Sequence, residues 1–430
     1  MKTEQLYQLF RESEGISTDS RTITPDQIFF ALWGDSFNGN KFAAEAIEKG
    51  ASWAVIDDPA FENGKTILVD DCLIELQALA TYHRKELKTS VVGITGTNGK
   101  TTTKELLAAI LSKKFKVHST KGNLNNHIGV PLTILSAPEG TQMMVIEMGA
   151  SHLGEIRILC NIARPDYGII TNVGTAHIEG FGSFEGVVKA KAELYEYLRR
   201  VNGVAIYNEQ DHLLAEKIYK LVNRAIPYSD PTGIDLEVEP VRSDFNLAVR
   251  ITFHHKTCEI ETNLFGLYNI ENIRAAIATG LFLEVSIEDI VDAVKNYQPE
   301  SNRSQVRKTK NNTLICDAYN ANPVSMNLAI ESLAAIDTGK KMCILGDMLE
   351  LGDKSAEEHN RVISALRKSN FENVLLAGRE FSKAAVRSGY KTFPNVPKLK
   401  EYLKAERVKG YTILIKGSRG MAMEKIYDVL

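Results

Sequence analysis

The stretch Gly93-Ile-Thr-Gly96-Thr-Asn-Gly99-Lys100-Thr101-Thr102 constrains this chain more than any other feature. It continues an apolar, β-rich run that begins at Ser90, and it leads into a helical pattern over 102–114. A strand that ends in a glycine-rich turn and opens a helix aims backbone N–H groups at one spot. The helix N-terminus adds a field that favours an anion there. Lys100 would reach the outer phosphates of a nucleotide, and the Thr101 hydroxyl would meet a magnesium ion. The strict phosphate-loop pattern asks for glycine six positions before Lys100. Ile94 stands there instead, with Gly93 one position further back. An ordinary glycine-rich strand–helix turn would share the shape, but it has no need of Gly-Lys-Thr-Thr at the junction.

A loop of this kind implies a parallel sheet, and the chain supplies further buried-strand candidates at 143–149, 167–174 and 203–208, separated by helix-like stretches. That alternation predicts an α/β fold with helices on both sheet faces. Before it, the first 85 or so residues read as a small α/β unit. The stretch 236–264 alternates apolar and polar residues and predicts antiparallel strands. After Pro299 the alternation restarts at 313–319, 341–347, 373–378 and 411–417. Three α/β domains are expected, over 1–88, 89–298 and 299–430, and 430 residues accommodate them at roughly 150 each. The two junctions are hinge candidates.

Charge and composition remove other classes. With 51 Lys and Arg against 54 Asp and Glu, the chain lacks the basic excess of a nucleic-acid binder. The N-terminus has no secretory pattern, and no apolar run approaches the roughly 18 residues of a membrane span. The five cysteines are scattered, with no CxxC pair, and read as reduced core residues. A cytoplasmic protein without nucleic-acid partners or membrane insertion is expected.

Three residues outside the loop could carry chemistry, each with a bland alternative. Glu147 ends a predicted parallel strand, where open α/β sheets place ligand sites. It is either an oxygen ligand for Mg²⁺ or a solvated strand-end carboxylate. His177 follows another strand end and is either a ligand or a satisfied loop histidine. Lys191, by composition, belongs to the solvated face of an amphipathic helix.

Together these pieces resemble the Mur ligase family over nearly the whole chain. The shared pattern joins GITGTNGKTTT, Glu147, a TN…H segment, an Ala-Lys pair within a helix, Gly266-Leu-Tyr268-Asn269-Ile-Glu-Asn272 with Ala275 and Ala276, then Arg303 and Asp317. Tyr268 stands where the family most often has His. The resemblance implies a three-domain, ATP-dependent amide-bond ligase with an N-terminal UDP-binding domain, a central P-loop ATPase domain and a C-terminal Rossmann-like domain. It also implies that Gly96, Thr97, Asn98, Gly99, Lys100, Thr101, Thr102, Asn269, Arg303 and Asp317 bind ATP, with Arg303 near the phosphates and Asp317 near the ribose. Lys100, Glu147, His177 and Lys191 are the implied catalytic set. Thr101 and Glu147 would hold one Mg²⁺, and His177 would hold a second with Lys191, commonly carbamylated in the family.

Several segments resemble the members that add D-alanyl-D-alanine to UDP-N-acetylmuramoyl-tripeptide: GNLNNHIGVPLT (122–133), EGFGSFEGVVKAKAE (179–193), DAYNANPVSM (317–326), LGDMLELG (345–352) and IKGSRGMAME (415–424). No DNPR motif, the mark of diaminopimelate-adding siblings, occurs. Ser20 and Arg21 resemble part of the uridine-nucleotide domain, Asn125 and Asn126 the segment facing the muramoyl substrate, and Lys416 and Arg419 the acceptor side. A monomer is expected. The rivals are a related ligase for another amine (diaminopimelate, lysine or folyl-glutamate type) and a P-loop switch protein that controls partner binding.

Overall fold

The computed structural model describes residues 2–34, 36–174, 178–243, 245–299, 302–337 and 339–430. Three main sheets follow one another along the chain. The first has four parallel strands in the order Ile16–Ser17, Ile28–Phe30, Trp53–Ile56, Thr66–Leu68. The helix Cys72–Glu86 leads out of this unit, its N-terminus capped by the Asp71 carboxylate on Ile74 N–H.

The central sheet has six parallel strands, ordered Arg224–Pro227, Val204–Tyr207, Tyr167–Ile170, Ser90–Thr95, Met143–Glu147, Val117–Ser119. Val91, Val92 and Ile94 are fully buried because helices cover both faces of the strand Ser90–Thr95, which accounts for its unbroken apolar reading. The chain order reverses around this strand, and the phosphate loop leaves its C-terminal end at that switch point. As its alternating pattern predicts, the later stretch forms an antiparallel three-stranded sheet, Leu236–Ser243, Leu247–Phe253 and Lys256–Glu261.

The third sheet has the order Gln305–Lys308, Thr313–Asp317, Tyr411–Lys416, Lys340–Gly346, Val374–Ala377, Lys391–Phe393, with only the first strand antiparallel. Its two faces bury separate clusters around Met326 and Leu333 on one side and Leu399 and Ile413 on the other. No helix among the described residues is long and apolar enough to cross a membrane.

The connections near 88 and 299 differ in kind. A single hydrophobic core runs from Leu6 and Phe30 of the first unit to Ile134, Met144 and Leu194 of the central one. Buried Arg84 crosses the junction, donating to the carbonyls of Ala163 (3.1 Å) and Arg164 (3.2 Å) and to Asp166 (2.9 Å). The same Asp166 carboxylate accepts from Val91 N–H. At the second junction the backbone turns through left-handed Asn302 and Ser304, at φ of 57° and 51°, and the link combines polar contacts with a buried side chain, Phe265, lodged in the third unit's core.

Candidate active site

The loop keeps its shape through its glycines and through a brace from the neighbouring strand. Gly96 has φ of +146°, and a Cβ there would lie 2.0 Å from the Thr171 hydroxyl. Gly99 caps the helix Lys100–Leu111 at φ of +79°, with Asn272 Oδ1 only 2.1 Å from where a Cβ would sit. Thr171 donates to Asn98 O (2.6 Å), and Asn172 both donates to that carbonyl (3.1 Å) and accepts from Asn98 N–H (3.0 Å). These holds leave the first-turn N–H groups of the helix as donors without intrahelical partners.

Lys100 folds back onto its own loop, donating to Gly96 O (2.6 Å) and Thr97 O (3.1 Å). Burial pushes its pKa down, with Arg303 adding to that effect and Glu147 opposing it. An incoming phosphate would offer this ammonium stronger, charged acceptors than two carbonyls. Glu147 is buried at the strand end, its carboxylate accepting from the Thr101 hydroxyl and the Asn125 amide, both at 2.8 Å. Hydroxyl and carboxylate oxygens side by side suit a hard cation. Among the described residues no three His, Cys, Asp or Glu side chains converge as a metal cage. Mg²⁺ fits this donor set because it is usually held by one or two carboxylates together with phosphate oxygens and water.

Lys191 corrects the reading from composition. It is 3% exposed rather than solvated, because the helix Phe184–Val201 turns it inward against Phe181, 5.5 Å from the ring centroid. Among the described residues it has no hydrogen-bond partner. Burial, reinforced by the Lys100 charge, pulls its pKa down to about 7 against the opposing pull of Glu155 and Glu193. His177, expected beside it, lies outside the described residues.

A cleft of about 970 Å³ brings most of the expected residues together. Its lining runs from Gly96 to Thr102 and includes Asn125, Asn126, Glu147, Lys191, Asn269, Arg303, Asp317 and Lys416. Ser20, Arg21 and Arg419 are not among its lining residues. Arg21 is exposed and grips Asp19 at 2.7 Å, holding that carboxyl at about 2. Ser20 is buried and presents its carbonyl to Lys49.

Several lining side chains are already engaged within the protein. Asn126 accepts from Ile128 N–H and Gly129 N–H, so it shapes the turn into the helix Gly129–Leu135. Asn269 donates to Phe265 O and accepts from Asn272, itself wedged beneath the loop. Asp317 accepts from Ser304 N–H (3.1 Å) and from Lys416 (2.7 Å), so the Lys416 charge is neutralised in place. Arg303 differs: its guanidinium has no hydrogen-bond partner among the described residues and lies 3.7 Å from the Tyr319 ring centroid. With Lys100, it gives the cleft its available positive charge.

Sequence reasoning missed the residues that tie the third unit to the loop. Asn322 caps the helix Pro323–Ala335 through Ser325 N–H and donates 2.7 Å across the cleft to Asn98. An Asn directly before Pro, with Ser three positions on, is an N-cap signal that could have marked it. Tyr268 reaches Ser304 through its hydroxyl at 2.8 Å, and no spacing rule would have paired them.

Three family models match in succession: the Mur ligase family catalytic domain over residues 12–119, the Mur ligase middle domain over 94–280, and the Mur ligase glutamate ligase domain over 302–419. The UDP-N-acetylmuramoyl-tripeptide–D-alanyl-D-alanine ligase of Bacillus subtilis is 36% identical, over 96% of this chain and 92% of that protein. The Escherichia coli ligase of the same name is 32% identical, over 97% and 93%. Among solved structures, MurF from Acinetobacter baumannii matches with a TM-score of 0.85 at 31% identity, covering 98% of this chain and 97% of that one. MurF from Thermotoga maritima, solved with ADP, matches at 0.86 and 26% identity over the same shares.

Proposed function

Because this chain belongs to the Mur ligase family, we propose that it uses ATP to join D-alanyl-D-alanine to UDP-N-acetylmuramoyl-tripeptide, making the pentapeptide precursor of peptidoglycan. The observation that carries this reading is the shared cleft. A phosphate loop, a buried carboxylate, a buried lysine and a free guanidinium from the third unit all face one space.

The terminal carboxylate oxygen of the tripeptide attacks the γ-phosphorus of ATP, and ADP leaves. The amine of the dipeptide then attacks the acyl carbon, loses a proton, and the tetrahedral centre collapses to amide and inorganic phosphate. Lys100 and Arg303 draw the phosphate oxygens into place and offset the charge that spreads over them during transfer. Thr101 and Glu147 would hold one Mg²⁺ there, and Lys191 with His177 a second. Bound magnesium supplies charge neutralisation on the phosphate and acyl oxygens. Lys191 suits modification by CO₂: its neutral amine attacks the carbon, a proton leaves, and a carbamate replaces the buried ammonium with anionic oxygens. The Asn322–Asn98 contact brings the acceptor side over the loop, which keeps water from the acyl phosphate.

In this reading residues 1–88 hold the sugar nucleotide, 89–298 hold ATP, and 299–430 bring the dipeptide. A monomer is the simplest reading, since residues of one chain line the cleft, and soluble nucleotide substrates are in keeping with a cytoplasmic enzyme. The test is ADP release and amide formation with each substrate omitted in turn, comparing D-alanyl-D-alanine with diaminopimelate, lysine and glutamate. Amide and ADP in equal amounts, only with the dipeptide, are expected. Amide with only the other amines, or ADP release indifferent to any amine, would overturn the assignment.

A further inference from the structure

We propose that Tyr319 is a positioning residue whose one side chain sets both Arg303, on the phosphate side of the cleft, and Arg419, on the acceptor side. The proposal rests on the ligase reading above. Arg303 lies with its guanidinium carbon 3.7 Å from the Tyr319 ring centroid, close enough for a cation–π stack. Arg419 comes to 5.2 Å of the same centroid and donates through Nη1 to the Tyr319 hydroxyl at 3.2 Å.

The backbone carries the same arrangement. Tyr319 N–H donates to Asn302 O (3.3 Å), and Asp317, two residues earlier, accepts from Ser304 N–H. The segment 317–319 thus grips the residues on either side of Arg303, and both of those are in the left-handed region. The side chain of Arg303 has no other polar partner among the described residues, and its Nε is buried without one. A long, flexible cation whose direction is set by a ring and a clamped backbone loses less freedom when a phosphate arrives. Tyr319 itself lines the cleft, whereas Arg419 is not a lining residue and reaches Tyr319 from outside it.

Ring and hydroxyl can be separated by substitution. Tyr319→Phe keeps the ring beside both guanidinium groups and deletes only the hydroxyl's hydrogen bond with Arg419. Tyr319→Leu removes both. The measurements are the Kd of a non-hydrolysable ATP analogue by calorimetry and the KM for D-alanyl-D-alanine, on full-length protein with melting curves recorded alongside. For the Phe variant, analogue Kd within about twofold of wild type and a dipeptide KM raised about fivefold are expected. For the Leu variant, both should worsen by about fivefold or more. A role in folding alone would lower the melting temperature without splitting the two constants. Wild-type analogue affinity in the Leu variant, an unmoved dipeptide KM in the Phe variant, or equal shifts of both constants in the Phe variant would each overturn the proposal. If wild type makes no amide, the ligase reading fails instead, and the analogue titration still decides whether the ring positions Arg303.

Discussion

With its pKa pulled to about 7, Lys191 is divided between ammonium and free amine near neutral pH. Only the amine attacks CO₂. Because the folded value lies below that of an ordinary lysine, the reactive form dominates above pH 7 and gives way to the ammonium below it. At a fixed CO₂ pressure, carbamate formation at Lys191 should therefore be about tenfold faster near pH 8 than near pH 6. Carbon-13 NMR with labelled CO₂ reads the adduct directly, and a rate without pH dependence would remove the buried amine from the account. Composition could not see this, because lysines on one amphipathic helix look alike in a sequence. What separates Lys191 from the exposed Lys189 is which face of the helix Phe184–Val201 turns toward Phe181.

The strand, turn and helix over 90–111 are legible in the sequence because their signals are local: an apolar run, spaced glycines and a helical pattern. The brace beneath the loop is not, since Asn272 and Asn172 come from elements far away in the chain. Asn322 stands between these cases, readable as a helix cap but not as a partner of Asn98. The brace makes the loop sensitive to a single methyl group. In Gly99→Ala the new Cβ would meet Asn272 Oδ1 in a left-handed conformation, and a loss of about 1–3 kcal/mol is expected from strain and displacement together. Urea unfolding should show that loss, and nucleotide affinity should fall with it. Full stability with full affinity would mean that Asn272 yields freely and does not support the loop.

Across the whole molecule, length and the β/α alternation suggest three successive units, and the structure joins them unequally. The first two share one core and the buried Arg84 clamp, while the third builds its cores from its own residues plus a buried anchor from the central unit, Phe265, and meets the loop through side-chain contacts. Replacing Arg84 with Met should cost about 2–4 kcal/mol, because a buried guanidinium's three hydrogen bonds, one of them to the half-exposed Asp166 carboxylate, disappear at one seam. Calorimetry should then show the N-terminal part melting earlier than the remainder, and an unchanged profile would show that the apolar core alone fuses the two units. The Arg84 clamp also bears on exchange between homologues. A chimera cut near 88 would inherit the Ala163 and Arg164 carbonyls without the guanidinium that covers them, unless its donor carried a matching arginine. A cut near 299 asks that the incoming piece seat Phe265 in its core and bring the Asn322 cap and the Ser304 hydroxyl, so recombination there should be tolerated where all three are matched.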